Sequence, residues 1–259
     1  MSAPRQSTAS ALSLVDTPTL TIVIPAYKEA SRIGPTLQRI SDYVAAQHWK
    51  TEIIVVLDGG PVDTAAAVSR AQEQYPGITV LNNGVNRGKG YSVRAGMLAA
   101  CGRNVLFSDA DLSTPIEESA RLIAALDAGA DVAIGSRALT QSRVTVHQPW
   151  WRESMGRTFN WFVQRLTVKG IRDTQCGFKC FRRDAARRIF ALQRLDRFAF
   201  DVEVLWIAQH LGLTVVELPV TWVNSPASTV NPIRDSSRML IDLVRIRVNH
   251  WGGYYNENP

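Results

Sequence analysis

The chain has only three cysteines, no run of 18 apolar residues, no internal repeat and no low-complexity tract. Cys101, Cys176 and Cys180 form an odd, sparse set, which argues against a disulfide framework and for reduced thiols in a cytosolic compartment. Cys176 and Cys180 have no histidine near them, so they make a poor zinc site and read as small buried residues. A membrane-spanning helix takes about 20 apolar residues, so none is expected. Residues 1–17 are rich in Ser, Thr and Ala but lack the apolar core of a signal peptide, and they read as a flexible tail. Two phosphate-loop signatures are missing as well. In residues 84–90 the spacing is wrong for a P-loop and no Ser or Thr follows Lys89. Val93 stands where a dinucleotide fingerprint needs its third glycine. That loop reads either as a cationic loop near phosphate or as a plain turn.

What is present suits one large α/β domain, or a domain with an appendage. The chain has 259 residues, of which 46% are hydrophobic, enough to bury a sizeable core. Its net charge of +6 is unevenly spread. Residues 1–136 carry 11 basic and 13 acidic groups, residues 137–200 carry 14 and 4, and residues 201–259 carry 4 and 6. The basic middle segment points to an anionic partner: nucleic acid, a phosphorylated substrate or an anionic membrane surface. It lacks a recognisable nucleic-acid-reading module, so nucleic acid is the weakest of the three.

Short apolar runs at residues 20–24, 52–57, 79–81, 105–107 and 132–134 alternate with helical patterns over 31–44, 64–74, 91–101 and 115–128. This cadence predicts a mostly parallel sheet with crossover helices. Several strands end in chemically capable tips: Tyr27 and Glu29, then Asp58, then Asp109 and Asp111, then the cationic Arg137. In a parallel sheet such tips share one edge, where ligands usually bind. Asp109-Ala110-Asp111 itself has two readings. On a continuing strand its carboxylates would share a face, repel each other and invite a hard divalent cation. Alternatively the tripeptide caps the helix announced by Ser113, Thr114 and Pro115.

Downstream, residues 138–153 read as loop. Met155, Phe159, Phe162, Val163 and Leu166 then form an apolar helical stripe beside Trp150, Trp151 and Trp161. That helix either lies on lipid or packs on the sheet. Asp173 to Lys179 reads as a polar turn, residues 184–192 as a basic helix, and residues 198–211 as a helical segment carrying Asp201 and Glu203. Residues 215–223 read as an edge strand because of Pro219. In residues 237–250, Arg238, Asp242, Arg245 and Asn249 fall on one stripe of a second amphipathic helix, which either lies on a membrane or completes the core.

These residues together resemble the inverting family-2 glycosyltransferases with a GT-A fold, over nearly everything from Leu20 to His250. Val23 to Glu29 resembles the family's first strand and nucleotide loop. Asn86-Arg87-Gly88-Lys89-Gly90 resembles its N-x-G-K-G loop, and Asp109-Ala110-Asp111 its D-x-D. Gly135-Ser136-Arg137, Asp173-Thr174-Gln175-Cys176-Gly177-Phe178-Lys179 and Phe200-Asp201-Val202-Glu203 are similar to the dolichyl-phosphate β-glucosyltransferase and mannose synthase group, the second run most specifically. The resemblance implies a nucleotide-sugar donor (UDP-glucose foremost), Mg²⁺ or Mn²⁺, and a polyprenyl phosphate acceptor at the cytoplasmic membrane face. It implies that Pro25, Tyr27, Glu29, Asp58, Lys89, Asp109 and Ala110 hold the donor. Asp111, with Asp109 and more weakly Ser113, would hold the metal. Arg137 and Arg152 would hold the acceptor phosphate, and Asp173, Asp201 and Glu203 would orient the sugar or the arginines.

Three departures qualify the match. Leu57-Asp58-Gly59-Gly60 keeps one acid of the family's D-D-G-S. Ser113 replaces a stronger metal ligand, and Ser228-Thr229 lacks an expected lysine. The implied organisation is a tail at 1–18, a catalytic domain at 19–231 with an acceptor-side insertion at 138–172, and a C-terminal amphipathic helix and tail at 232–259, held peripherally at the membrane. Homo-oligomerisation is left open. Two other readings stand beside this one: the same donor chemistry on a soluble acceptor, and a nucleotide-sugar-binding scaffold without turnover.

Overall fold

The structure, a computed structural model, describes residues 17–145, 150–223 and 232–257; of 150–157 and 232–237 the backbone alone is described. Strands β1 (Leu20–Ala26), β2 (Thr51–Leu57) and β3 (Ile78–Asn82) are joined by helices α1 (Ile33–Ala46) and α2 (Val62–Gln74). Helix α3 (Lys89–Ala99) leads to β4 (Asn104–Ser108). A 3₁₀ turn (Ile116–Glu118) and α4 (Ser119–Asp127) lead to β5 (Val132–Ser136). There follow β6 (Arg143–Val144), α5 (Trp150–Leu166), β7 (Phe178–Arg182), α6 (Arg183–Leu192), α7 (Phe200–His210), β8 (Val215–Pro219), β9 (Thr221–Trp222) and α8 (Pro232–Trp251).

Seven strands form the main sheet in the order β3-β2-β1-β4-β7-β5-β8, all parallel except β7; β6 and β9 pair separately. Alternate residues supply two cores, as the two-residue strand period requires. Val23, Val105, Phe107, Ile134 and Phe181 pack against α3, α5, α6, α7 and α8. Ile22, Ile24, Leu106, Ala133 and Cys180 pack against α1, α2 and α4. Burial on both faces explains why β1, β2 and β4 read as continuous apolar runs.

The structure refines several expectations. The segment predicted as a helix over 115–128 opens with a 3₁₀ turn, and the segment read as loop over 138–153 contains β6 and the start of α5. The late strand breaks at Val220. Its first part, β8, is the sheet edge, as Pro219 demands, because proline has no N–H for a further neighbour. In the apolar stripe of α5, Phe159 and Val163 are buried in the core and Phe162 is half-buried, while Leu166 and the neighbouring Trp161 are exposed, so packing accounts for part of the stripe; the side chain of Met155 lies outside the described residues. Residues 1–16, the side chain of Arg152, and Ser228-Thr229 lie outside the described residues.

The largest departure is β7. Its residues follow what reads as a polar turn, yet they form a central strand that runs against both β4 and β5. Because β7 is reversed, its amino end lies level with the carboxyl ends of its neighbours: Phe178 faces Ser108 in the register. The turn at residues 173–177 is thereby delivered to the edge that carries the polar tips.

Candidate active site

A cavity of about 390 Å³ opens at the carboxyl edge of β1, β2 and β4 and is roofed by α8 and the loop before α7. Pro25, Tyr27, Glu29, Asp58, Lys89, Asp109, Ala110 and Asp111 all line it. Ser113, Arg137, Asp173, Asp201 and Glu203 do not.

Strand β4 ends at Ser108, so Asp109 and Asp111 sit on a turn and not on a continued strand face. Leu112 adopts φ 46°, a left-handed conformation unusual for a side chain of its size, and its N–H donates to the Asp109 carbonyl at 3.2 Å. This bend lets the Ser113 N–H donate to Asp111 Oδ1 at 3.0 Å. Both readings of the tripeptide are therefore partly realised: Asp111 caps its own turn with one oxygen and still lines the cavity. The residue neighbouring these carboxylates in space is cationic. Lys89 Nζ lies 2.6 Å from Asp109 Oδ1. Burial disfavours the ammonium, but Asp109 and then Asp201 outweigh it and raise the Lys89 pKa.

The run Asp173 to Lys179 clamps this turn from the neighbouring strand. Asp109 N–H donates to the Gly177 carbonyl at 3.1 Å, and a Cβ at Gly177 would collide with the Asp109 carboxylate. Cys176 Sγ and Thr114 Oγ1 are in contact at 3.8 Å. Lys179 is fully buried in the sheet and donates to the Cys176 carbonyl and to Asp201. Burial pushes the Asp201 carboxyl up, against the pull of Lys179 and Lys89. Burial also pushes the Cys176 thiol up to about 11, so it stays a thiol.

Arg137 leaves β5 and grips Asp173 three times: its backbone N–H at 2.9 Å, Nε at 2.7 Å and Nη2 at 2.8 Å. Burial raises the Asp173 carboxyl, but the guanidinium dominates and holds its pKa below the usual carboxylate range. The Arg137 guanidinium lies 5.5 Å from the Trp222 ring centroid, and about a third of the side chain stays exposed. Glu203 is turned away from the cavity. It accepts from the backbone N–H groups of Arg194 and Leu195 and from the Tyr255 hydroxyl.

Asp58 and Glu29 are more committed than their position suggests. Asp58 accepts from Asn83 Nδ2 and from the N–H groups of Arg87 and Gly88, so it holds the 83–88 loop in place. Glu29 accepts two bonds from Arg32; burial raises its pKa, and Asp111 and Asp109 add to the rise. Gly88, at φ 110°, passes close beneath the Asp196 carbonyl, where a Cβ would clash, so the loop before α7 seals against it. That loop brings Arg197 and Phe198 to the cavity, and α8 brings Arg238, Met239 and Asp242. None of these five belongs to the predicted donor set. The sequence signal for two of them was the stripe shared by Arg238 and Asp242.

The carboxylates fit a cation that arrives with a phosphate ligand. Among the described residues no three His, Cys, Asp or Glu side chains surround a common point. Mg²⁺-type sites at substrate phosphates use one or two carboxylates, with waters and phosphate oxygens completing the shell. Asp111, with one oxygen bound only to a turn N–H, meets that requirement; Asp109 is shared with Lys89.

The chain is similar to known proteins in sequence and in structure. Residues 21–190 match the family described as Glycosyl transferase family 2. The chain is 36% identical to dolichyl-phosphate beta-glucosyltransferase of Dictyostelium discoideum over 255 residues, covering 93% of this chain and 77% of that one. It is 32% identical to the Homo sapiens enzyme of the same name, covering 93% and 79%. Among solved structures it is similar to glucosyl-3-phosphoglycerate synthase from Mycobacterium tuberculosis in complex with Mn²⁺, UDP-glucose and phosphoglyceric acid, with a TM-score of 0.65 at 18% identity, covering 91% and 80%. It is also similar to a mannosyltransferase from Pyrobaculum calidifontis in complex with GDP-mannose and Mn²⁺, with a TM-score of 0.59 at 19% identity, covering 90% and 65%. At those identities the structural likeness speaks for the fold.

Proposed function

The chain belongs to glycosyl transferase family 2, and from that premise we propose that it transfers a hexosyl unit from a nucleotide sugar, UDP-glucose foremost, to a polyprenyl phosphate of the dolichyl type. The observation that carries the reading is the cavity at the strand edge, where Asp109, Asp111 and Lys89 converge. The names of the relatives favour the acceptor and the sugar. Pro25, Tyr27 and Glu29 would bound the nucleoside end of the cavity, with Asp58 fixing the loop beside it. Asp111, assisted by Asp109, would hold Mg²⁺ or Mn²⁺. When bound, that ion supplies charge neutralisation to the departing nucleoside diphosphate. Lys89 places a second positive charge at the same level.

An acceptor phosphate is already anionic near neutral pH, so it needs orientation more than a base. Arg137, locked by Asp173 and backed by Trp222, is a preorganised guanidinium suited to that role, and Arg152 would share it. Asp201 acts through Lys179, and Glu203 through the loop before α7; both are positioning residues. Inversion follows if the acceptor oxygen attacks the sugar from the side opposite the diphosphate.

Peripheral attachment at the cytoplasmic membrane face completes the reading. No helix among the described residues is long and apolar enough to cross a membrane. Helix α8, however, buries Met239, Leu243 and Ile246 while Ile241, Val244, Val248 and Trp251 form an exposed apolar stripe on its outer side. Arg245 and Arg247 flank that stripe, as suits an anionic lipid surface. The test is a donor panel (UDP-glucose, UDP-galactose, UDP-N-acetylhexosamine, GDP-mannose) with one polyprenyl phosphate, Mn²⁺ and a chelator control. Lipid-linked sugar from UDP-glucose, lost with chelator, is the expected result; turnover only with a soluble acceptor would reject it. Flotation with anionic vesicles should carry the protein upward, and retention in the load fraction would reject membrane attachment.

A further inference from the structure

Among the described residues, two cations lining the cavity have no ion pair, Arg197 and Arg238. Arg32 is spent on Glu29 and Lys89 on Asp109, while Arg197 comes from the loop before α7, where Asp196 feels the charges of Arg94 and Arg87 more than that of Arg197. Arg238 lines the same cavity from α8, and among the described residues its side chain takes part in no ion pair and no hydrogen bond. Its helical neighbour Asp242, one turn on, is nearly buried and accepts from Arg245 instead. The helix is not loosely placed there: Met239, Leu243 and Ile246 are buried in the core, and Gln175 Nε2 reaches Met239 Sδ at 3.8 Å. An anchored helix thus holds an uncommitted guanidinium over the cavity.

The lining is otherwise unfavourable to a multiply charged anion. Among the described lining residues, Glu29, Asp58, Asp109, Asp111 and Asp242 outnumber the four cations, so a diphosphate entering without further positive charge would meet net repulsion from them. A guanidinium without an acid partner offers two parallel N–H donors to a phosphate at no cost of breaking an existing pair. We infer that Arg238 is a phosphate-binding side chain of this site, contributed from α8 to the cavity that Asp111 and Lys89 also line. The inference rests on the nucleotide-sugar reading of the cavity. The phosphate it takes is either the donor diphosphate or the acceptor monophosphate, and the two sources are separable by experiment.

The variants are Arg238→Ala and Arg238→Lys in the full chain, with thermal melting as the folding control; Arg238 is exposed, so both should melt with the wild type. Calorimetric titration with UDP and GDP in Mn²⁺, and with the parent nucleosides, reads the donor arm without turnover. If Arg238 grips the diphosphate, Arg238→Ala weakens nucleoside diphosphate binding roughly tenfold or more and leaves nucleoside binding unchanged, and Arg238→Lys recovers part of the loss. If it grips the acceptor, diphosphate binding is unchanged and the KM for polyprenyl phosphate rises about tenfold. Both quantities within twofold of wild type in Arg238→Ala overturn the assignment. A wild-type protein that binds neither UDP nor GDP overturns the nucleotide-sugar reading itself, and this assignment with it.

Discussion

Asp111 and Asp109 are alike in the sequence and unlike in the fold. Asp109 is neutralised by Lys89, whereas among the described residues Asp111 accepts only from the N–H of Ser113. The negative charge left for a cation is therefore concentrated on Asp111. Asp111→Asn keeps an oxygen acceptor for Ser113 and removes that charge, which separates the two roles that the turn combines. Turnover should fall by roughly a hundredfold or more, the size expected when a fixed charge at a leaving group is lost, while the melting temperature stays where it was. Steady-state kinetics across a Mn²⁺ titration, beside a melting curve, reads both. Near-normal kcat would remove Asp111 from the metal site, and an early melt would make it chiefly a cap. The Asp109–Lys89 pair could not be read from the sequence, because the two residues are twenty positions apart and meet only once β1, β4 and α3 have packed.

At the level of elements, the parallel half of the sheet was legible and β7 was not. Strands β1, β2, β4 and β5 announce themselves as apolar runs because both of their faces are buried. In β7 the run is broken by Lys179, whose buried ammonium is satisfied by Asp201, far away in sequence. A buried lysine looks like a surface residue until its partner is known. The polar tips were legible for the same reason as their strands, whereas the α8 and 193–198 contributions depend on tertiary docking. Gly177 shows what β7 does for the site: it lets Asp109 pack against the start of that strand. Gly177→Ala should displace the carboxylate and release Lys89, lowering kcat/KM for the donor about tenfold. Such a crowded substitution costs on the order of 1–3 kcal/mol, or a few degrees of melting temperature. Donor kinetics unchanged from wild type would mean that the placement of Asp109 is not needed.

Over the whole molecule, part of the basic middle segment is spent within the chain. Arg182 donates to the carbonyls of Leu126 and Ala130, Arg183 to that of Cys101, and Arg188 pairs with Glu257, so these three arginines tie the chain to itself. The C-terminal segment is tied in by a carboxyl group instead. Glu203 joins α7 to the 194–195 backbone and, through Tyr255, to the chain end, and burial lifts its pKa to about 7 against the hydrogen bonds that pull it down. A carboxyl whose folded pKa exceeds its unfolded value binds more protons when folded. Its contribution therefore favours the fold below the unfolded value, near 4.5, and is lost as the pH rises to about 7. The loss amounts to about 3 kcal/mol across that window. His250, whose pKa is lowered chiefly by burial and then by His210, works in the opposite sense, so a single pH profile would blend the two. Glu203→Gln removes only the first. Urea unfolding at pH 5, 6, 7 and 8 should show the wild type losing stability relative to Glu203→Gln as the pH rises, with the difference levelling off above pH 7. Parallel profiles for the two proteins would mean that Glu203 is ionised throughout, and that the Tyr255 tie holds a carboxylate.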